Sequence, residues 1–255
     1  MYGKDFSWKG YDWECRMHGA QIHTGQQWQH YSEEQVSMSF DDRLVLRAIK
    51  DPKIIHHYDG KDYQSQYAVG TVRTAQTFEY GEFEAIIMFP MGYNLWPSFW
   101  LVGDEQWPQA GEIDVAECWS GNNKYSKLFI AQAPYICRSW RTTTNVHWFD
   151  EVHKSIGTRN ITKCKQPLDP SMHFIKYSVK WLPNKITISA NDKVVRDDTI
   201  SALNIAKYWH EVHNTRPRMR VIFNLWVENP ANCKDNISMI TPMIVKDFAY
   251  TELDQ

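Results

Sequence analysis

The run Glu112-Ile-Asp-Val-Ala-Glu117 places three carboxyl side chains within six residues, between Gly111 and Cys118. Along an extended strand successive side chains point to opposite faces. Glu112 and Asp114 therefore share a face, whereas Glu117, five positions beyond Glu112, would point into a core where an unpaired ionised carboxylate is severely penalised. One β-bulge with Val115 or Ala116 as the extra residue removes the conflict, because the alternation is reset and the strand bends; bulges are frequent beside active sites. All three acids then share a surface, where each raises the pKa of the others. That suits glycoside hydrolysis with retention, in which an ionised carboxylate attacks the anomeric carbon and a protonated one, roughly 5 to 5.5 Å away, donates to the leaving oxygen. Asp114, between the two, is placed to share a proton or hydrogen bond with the nucleophile and hold its orientation. A solvated acidic face or a calcium site built from hard oxygen ligands would use the same residue types, so the surrounding sequence has to decide.

The elements that must carry these acids read as strands. Short runs rich in Val, Ile, Phe, Tyr and Thr alternate with Gly, Pro, Asn and Asp, and long helical periodicity is scarce, an all-β pattern. Strands are expected at Arg43 to Ile49, Gly81 to Phe89, Phe99 to Val102, Glu112 to Glu117, Tyr177 to Trp181, Ile186 to Ala190 and Arg218 to Val227. Asn191-Asp192 reads as a hairpin turn, since both residue types tolerate left-handed dihedrals, and Ile200 to His213 as a short helix. In Arg218 to Glu228 the residues Met219, Val221, Phe223, Leu225 and Val227 form an apolar face suited to a core. Arg220, Ile222, Asn224, Trp226 and Glu228 form the other face, suited to a groove. With 255 residues and no repeat, low-complexity tract or linker, one domain over 1–255 is expected.

Composition narrows the partners. The net charge of -2 gives no electrostatic footprint for nucleic acid or an anionic membrane, and nothing approaches the roughly 20 continuous apolar residues of a membrane span. Twelve Trp and 13 Tyr exceed what the core requires and suit an aromatic-lined groove. The N-terminus shows no signal-peptide apolar stretch, so the chain either stays inside or is written without its leader. Cys15, Cys118, Cys137, Cys164 and Cys233 lack CxxC spacing and are odd in number, so buried free thiols are expected, with a Cys137–Cys164 bridge as the alternative.

The acidic segment resembles the signature of glycoside hydrolase family 16, E-x-D-x-x-E in its bulged branch. Trp107-Pro-Gln-Ala-Gly-Glu-Ile-Asp resembles the lead-in of members acting on β-1,3-glucans. Tyr80-Gly-Glu-Phe-Glu-Ala and Leu95-Trp-Pro-Ser-Phe-Trp-Leu101 resemble the family's YGxxEA and LWPAFWL stretches, with Ser98 in place of the usual Ala. Tyr177-Ser-Val-Lys-Trp181, Phe223-Asn-Leu225 and Val245-Lys-Asp-Phe-Ala-Tyr250 follow in family order.

The resemblance implies a jelly-roll β-sandwich of two curved antiparallel sheets with a concave substrate cleft. It implies Glu112 as nucleophile, Asp114 as its assistant and Glu117 as acid/base. Trp96 and Trp100 match cleft tryptophans, His147 a histidine near the reacting sugar, Arg73 a strand-borne arginine and Asn224 a late cleft asparagine. Trp119 and Trp226 are further subsite candidates without a firm family counterpart. No cofactor is required; Asp247 falls where some members hold a structural calcium on the convex side. The expected partner is a polysaccharide or oligosaccharide, the expected state a monomer, and the expected location secreted or cell-surface.

A β-1,3- or mixed-linked glucan follows from the Trp-Pro lead-in. Val72-Arg73-Thr74 is closer to galactan-cleaving members, and Cys118-Trp119-Ser120 departs from the usual residues, which keeps agar, carrageenan or host β-galactans in view; sulfated polymers would want Arg138, Arg141 and Arg220. A sugar-binding jelly roll without turnover, or an adhesion protein, would keep the aromatics but has no need of paired carboxylates at this spacing. Hydrolysis and transglycosylation, in which a sugar hydroxyl replaces water at the covalent intermediate, are not separated.

Overall fold

A computed structural model describes residues 5–16, 22–23, 25–57, 59–118, 142–150, 152–155, 159–160, 168–232 and 237–253. Two large sheets carry most of the alternating runs. The nine-stranded sheet runs in the order β1 (Asp5–Trp8), β2 (Tyr11–Glu14), β8 (Thr71–Thr74), β19 (Met219–Val227), β11 (Leu95–Gly103), β12 (Glu112–Cys118), β13 (Thr142–Asp150) and β14 (Val152–Ser155), with β15 (Arg159–Asn160) on β13. The seven-stranded sheet runs β18 (Lys193–Asp198), β17 (Lys185–Ala190), β16 (Ile175–Leu182), β9 (Gly81–Met88), β21 (Met243–Thr251), β5 (Leu44–Leu46) and β4 (Val36–Met38). Pairing within both is antiparallel, and neighbours such as β8 and β19 come from distant parts of the chain. The result is the expected all-β jelly-roll sandwich. A three-stranded sheet, β3 (Gln29–Tyr31), β7 (Asp62–Val69) and β6 (Ala48–His56), contains one parallel pair, β3 with β7, and β10 (Gly92–Tyr93) pairs β20 (Ser238–Met239).

The core lies between the two large sheets. Phe99, Leu101, Ile113, Val221, Phe223 and Leu225 meet Phe83, Ile87, Tyr177, Val179, Trp181 and Val245, all buried. Trp13 spans the layers, its ring centroid 5.5 Å from Phe223 and 5.4 Å from Phe248. Each such side chain, fully buried, contributes about 1.5 to 3 kcal/mol of transfer free energy.

Expected and observed elements agree closely. The Asn191-Asp192 turn has φ 45 and φ 61, as two left-handed hairpin positions require. Asn191 also fixes the loop by accepting from Lys176 N at 2.9 Å. The Arg43–Ile49 run is split at Arg47, whose N–H donates to Gln35 O and leaves both ladders. Cys15 and Cys118 are buried; Cys137, Cys164 and Cys233 lie outside the described residues.

The helix α1 (Ile200–His213) is capped by Asp198, which accepts from Ser201 N and Ser201 Oγ, and stops at Asn214 with φ 50. Its buried side presents Ile205 and Trp209, and Trp209 Nε1 donates to Ala110 O at 3.0 Å. Gly111, the residue before β12, has φ +82, and a Cβ there would lie 2.9 Å from Ile205. Only glycine meets both conditions, so the helix presses directly on the point where the acidic strand begins.

One expectation is corrected. The outer face of β19 is not an open groove, because Ile222, Asn224 and Trp226 are all buried. The three-stranded sheet and the segment before it cover this end of the strand: Trp28 Nε1 donates to Val227 O, Gln29 Oε1 accepts from Val227 N, and Tyr31 stacks on Trp226 at 6.3 Å.

Candidate active site

β12 carries the bulge that the acid spacing requires. Against β11, Asp114 opposes Trp100 while Ala116 opposes Phe99, so Val115 is the extra residue. Against β13, Asp114 opposes Asn145 and Glu117 opposes Thr143, so Val115 and Ala116 together face Thr144. Both bulge residues are fully buried. Thr144 Oγ1 donates to Asp114 O at 2.7 Å, which satisfies a carbonyl within the interrupted ladder. Because directly opposed residues share a face, Glu112, Asp114 and Glu117 lie on one side of the sheet with Trp100, Ser98, Asn145 and His147.

Burial and mutual charge dominate the electrostatics. Burial pushes the Glu112 carboxyl well up, and the charge on Asp114 adds to it. Asp114, 4% exposed, is also held well above the usual carboxylate range, by burial and then by Glu117. Glu117 is raised by burial, against the pull of the Trp96 indole, whose Nε1 donates to Glu117 Oε1 at 3.0 Å. Glu112 and Asp114 are joined by a side-chain hydrogen bond. His147 stands over the pair, its Nε2 3.3 Å from Asp114 Oδ2 and 3.8 Å from Glu112 Oε1. One ionised and one protonated carboxyl is thus the favoured state of the Glu112–Asp114 pair.

A layer of tryptophans supports this side. Trp100 is buried and donates from Nε1 to Asn224 Oδ1 at 2.7 Å; Asn224 Nδ2 donates to Trp96 O at 3.2 Å. Trp226 meets Trp96 edge-on at 5.5 Å and donates from Nε1 to Thr71 Oγ1. Asn224, Trp100 and Trp226 are placed beneath the surface, where they orient Trp96; only Trp96 of this set reaches a carboxylate. Arg73 Nε donates to Glu14 Oε2 at 2.6 Å, and Arg16 Nη2 donates to Glu14 Oε1 at 2.9 Å. Arg220 is held by Asp104 and by the carbonyls of Thr74 and Ala75, so it is not a free cation for a sulfated chain. Trp119, Arg138 and Arg141 lie outside the described residues.

Sequence reasoning missed Asn145, His153 and Trp107 as parts of this site. Asn145 is two residues before His147 and therefore on its face, a signal that alternation could have supplied. Its Nδ2 meets His147 Nε2 at 2.9 Å. His153 arrives only through the β13–β14 pairing, which spacing does not reveal.

Among the described residues, the one grouping of His, Cys, Asp and Glu whose polar atoms converge within 4.8 Å is Glu112, Asp114 and His147, the carboxylate cluster itself. The expected calcium at Asp247 does not fit the donor set. Lys9 Nζ lies 3.9 Å from Asp247 Oδ1 and 2.9 Å from Asp42 Oδ2, and an ammonium in that position repels a second cation.

The family profile of glycosyl hydrolases family 16 matches residues 16–240. A glucan endo-1,3-beta-glucosidase of Cryptopygus antarcticus is 22% identical over 178 residues, 68% of this chain and 57% of that protein. A beta-glucanase of Rhodothermus marinus is 34% identical over 80 residues, 29% of this chain and 26% of that protein. The chain thus spans less than two thirds of these curated relatives. Among solved structures, a family 16 enzyme from the mixed-linkage glucan locus of Bacteroides ovatus, in complex with an oligosaccharide product, superposes with a TM-score of 0.63 at 21% identity, over 97% of both chains.

Proposed function

The chain belongs to glycosyl hydrolases family 16, and on that premise we propose that it is a retaining endo-glycosidase cleaving internal β-linkages of a β-1,3- or mixed-linked β-glucan. The observation that carries this reading is the bulged strand β12, which turns Glu112, Asp114 and Glu117 onto one face with all three carboxyls raised. The glucan assignment leans on the Trp107-Pro lead-in and on the activities of the relatives.

In the proposed reaction Glu112, ionised, attacks the anomeric carbon as the bond to the leaving oxygen breaks, and Glu117 delivers its proton to that oxygen. The glycosyl group is then esterified to Glu112. Glu117, now ionised, takes a proton from water, which attacks the same carbon and frees Glu112. Asp114 shares a hydrogen bond with Glu112 and keeps its attacking oxygen aimed. Trp96 holds Glu117 by the indole N–H. The chain works as a single catalytic domain, takes a polysaccharide or oligosaccharide outside the cell, acts as a monomer and needs no cofactor. No described helix is long and apolar enough to cross a membrane.

The test is reducing-end release and product sizing on laminarin, mixed-linked β-glucan, agarose, carrageenan and keratan-type glycans, with wild type beside Glu112→Gln. Mid-chain cleavage of a β-glucan by wild type alone is expected. Cleavage confined to a galactan would overturn the substrate, and binding without any turnover would overturn the enzyme in favour of a sugar-binding module.

A further inference from the structure

His147 has a different neighbour at each ring nitrogen, and those neighbours fix its proton. On one side Asn145 approaches Nε2 at 2.9 Å. The amide orientation is settled by the backbone, because Asn145 Oδ1 accepts from Val146 N at 3.0 Å and the opposite amide orientation would set N–H against N–H. The group facing Nε2 is therefore an NH2, which can only donate, and Nε2 must accept. A neutral imidazole with a bare Nε2 carries its proton on Nδ1. Nδ1 lies 2.8 Å from His153 Nε2, which is the acceptor for that proton. The two rings are near parallel, 21° apart with centroids at 5.0 Å, and Trp107 leans on His153 at 4.7 Å.

We propose that His153 is a positioning residue, accepting the Nδ1 proton of His147 so that the bare Nε2 of His147 faces Asp114. This rests on the glycosidase reading for its consequence but not for its geometry. With Nε2 unprotonated 3.3 Å from Asp114 Oδ2, an ionised Asp114 would set one lone pair against another. Without the acceptor at His153, the Nδ1 proton loses its partner, the Asn145 amide turns away from Nε2, and the imidazole proton moves to Nε2, where it bonds to Asp114. That bond competes with the one joining Asp114 and Glu112, and the aim of Glu112 is lost.

The experiment is 15N NMR of histidine-labelled full-length protein at neutral pH, with His147→Gln to assign the resonance. Wild type is expected to show His147 protonated at Nδ1 and bare at Nε2. His153→Phe keeps a ring against His147 and Trp107 but removes the acceptor, so the proton is expected at Nε2. His153→Gln, whose amide oxygen can accept, is expected to restore Nδ1. On the cleaved polymer His153→Phe should lower kcat about tenfold, one hydrogen bond's worth, with KM within about twofold, and His153→Gln should recover most of it. A wild-type His147 protonated at Nε2 overturns the proposal. So does a rise in KM at unchanged kcat, which would make His153 a sugar contact. Failure of wild type to cleave any polymer would defeat the glycosidase reading instead, and the NMR result would still decide the tautomer.

Discussion

Burial and one indole pull the Glu117 carboxyl in opposite directions: desolvation raises its pKa, and the Trp96 N–H at 3.0 Å favours the ionised form. In the role proposed for Glu117, an acid/base must hold a proton in the first step and give it up before the second, so this balance is expected to set the alkaline limb of the pH–rate profile. Trp96→Phe removes the larger of the two influences that oppose burial, so that limb is expected to move to higher pH. Neutral-pH kcat should fall roughly tenfold, the size of one hydrogen bond to a charged group at the low end of its range. Profiles of kcat/KM on the polymer check this, and an unmoved alkaline limb would separate Trp96 from Glu117. The three acids were legible because type and spacing on one short strand suffice to define them. The bond from Trp96 was not, since an indole in a cleft reads first as a sugar platform, and its partner is 21 residues away. Asn224 and Trp226 were legible as one face of β19, but their burial depends on residues about 200 positions upstream in the chain, such as Trp28 and Gln29.

The acidic strand is held at its start by a helix and in its middle by a bulge. Gly111 is where the helix acts: its φ of +82 is costly for a residue with a Cβ, and that Cβ would meet Ile205 at 2.9 Å. Left-handed strain of about 1 to 2 kcal/mol and overpacking of about 1 to 3 kcal/mol give an expected loss of roughly 2 to 5 kcal/mol for Gly111→Ala. Gly60 is the control, with φ +77 and nothing within 4 Å of its added Cβ, so Gly60→Ala should show the strain alone. Urea unfolding of both variants measures the difference; equal losses would mean that α1 does not press on this strand. Helix α1 was legible end to end from its sequence, and so was the need for a bulge, since a carboxylate at Glu117 cannot tolerate the core. What α1 packs against was not legible, because the contact of Trp209 with Ala110 joins residues 99 positions apart.

For the whole molecule, burying three raised carboxyls has a stability consequence whose sign follows from proton uptake. Between the ordinary carboxylate range and their raised values the folded state holds more protons than the unfolded one, so stability falls as pH rises through that window. The contribution of the cluster is fully present at or below the ordinary range, near 4.5 for Glu and 3.8 for Asp, and is lost toward neutral pH. Asp114→Asn keeps the shape and removes one buried charge. It is expected to raise Tm at pH 7 relative to wild type, with the gap closing toward pH 4. Calorimetry across that range tests it, and a gap independent of pH would show that Asp114 does not titrate with the fold. Lys9 has a bearing on the same molecule at another place. An ion held by ligands is in exchange with its surroundings and leaves when a stronger binder arrives, whereas the ammonium between Asp42 and Asp247 is covalently part of the chain. The tie between the first hairpin and the last strand is therefore inherited with the gene and made at synthesis.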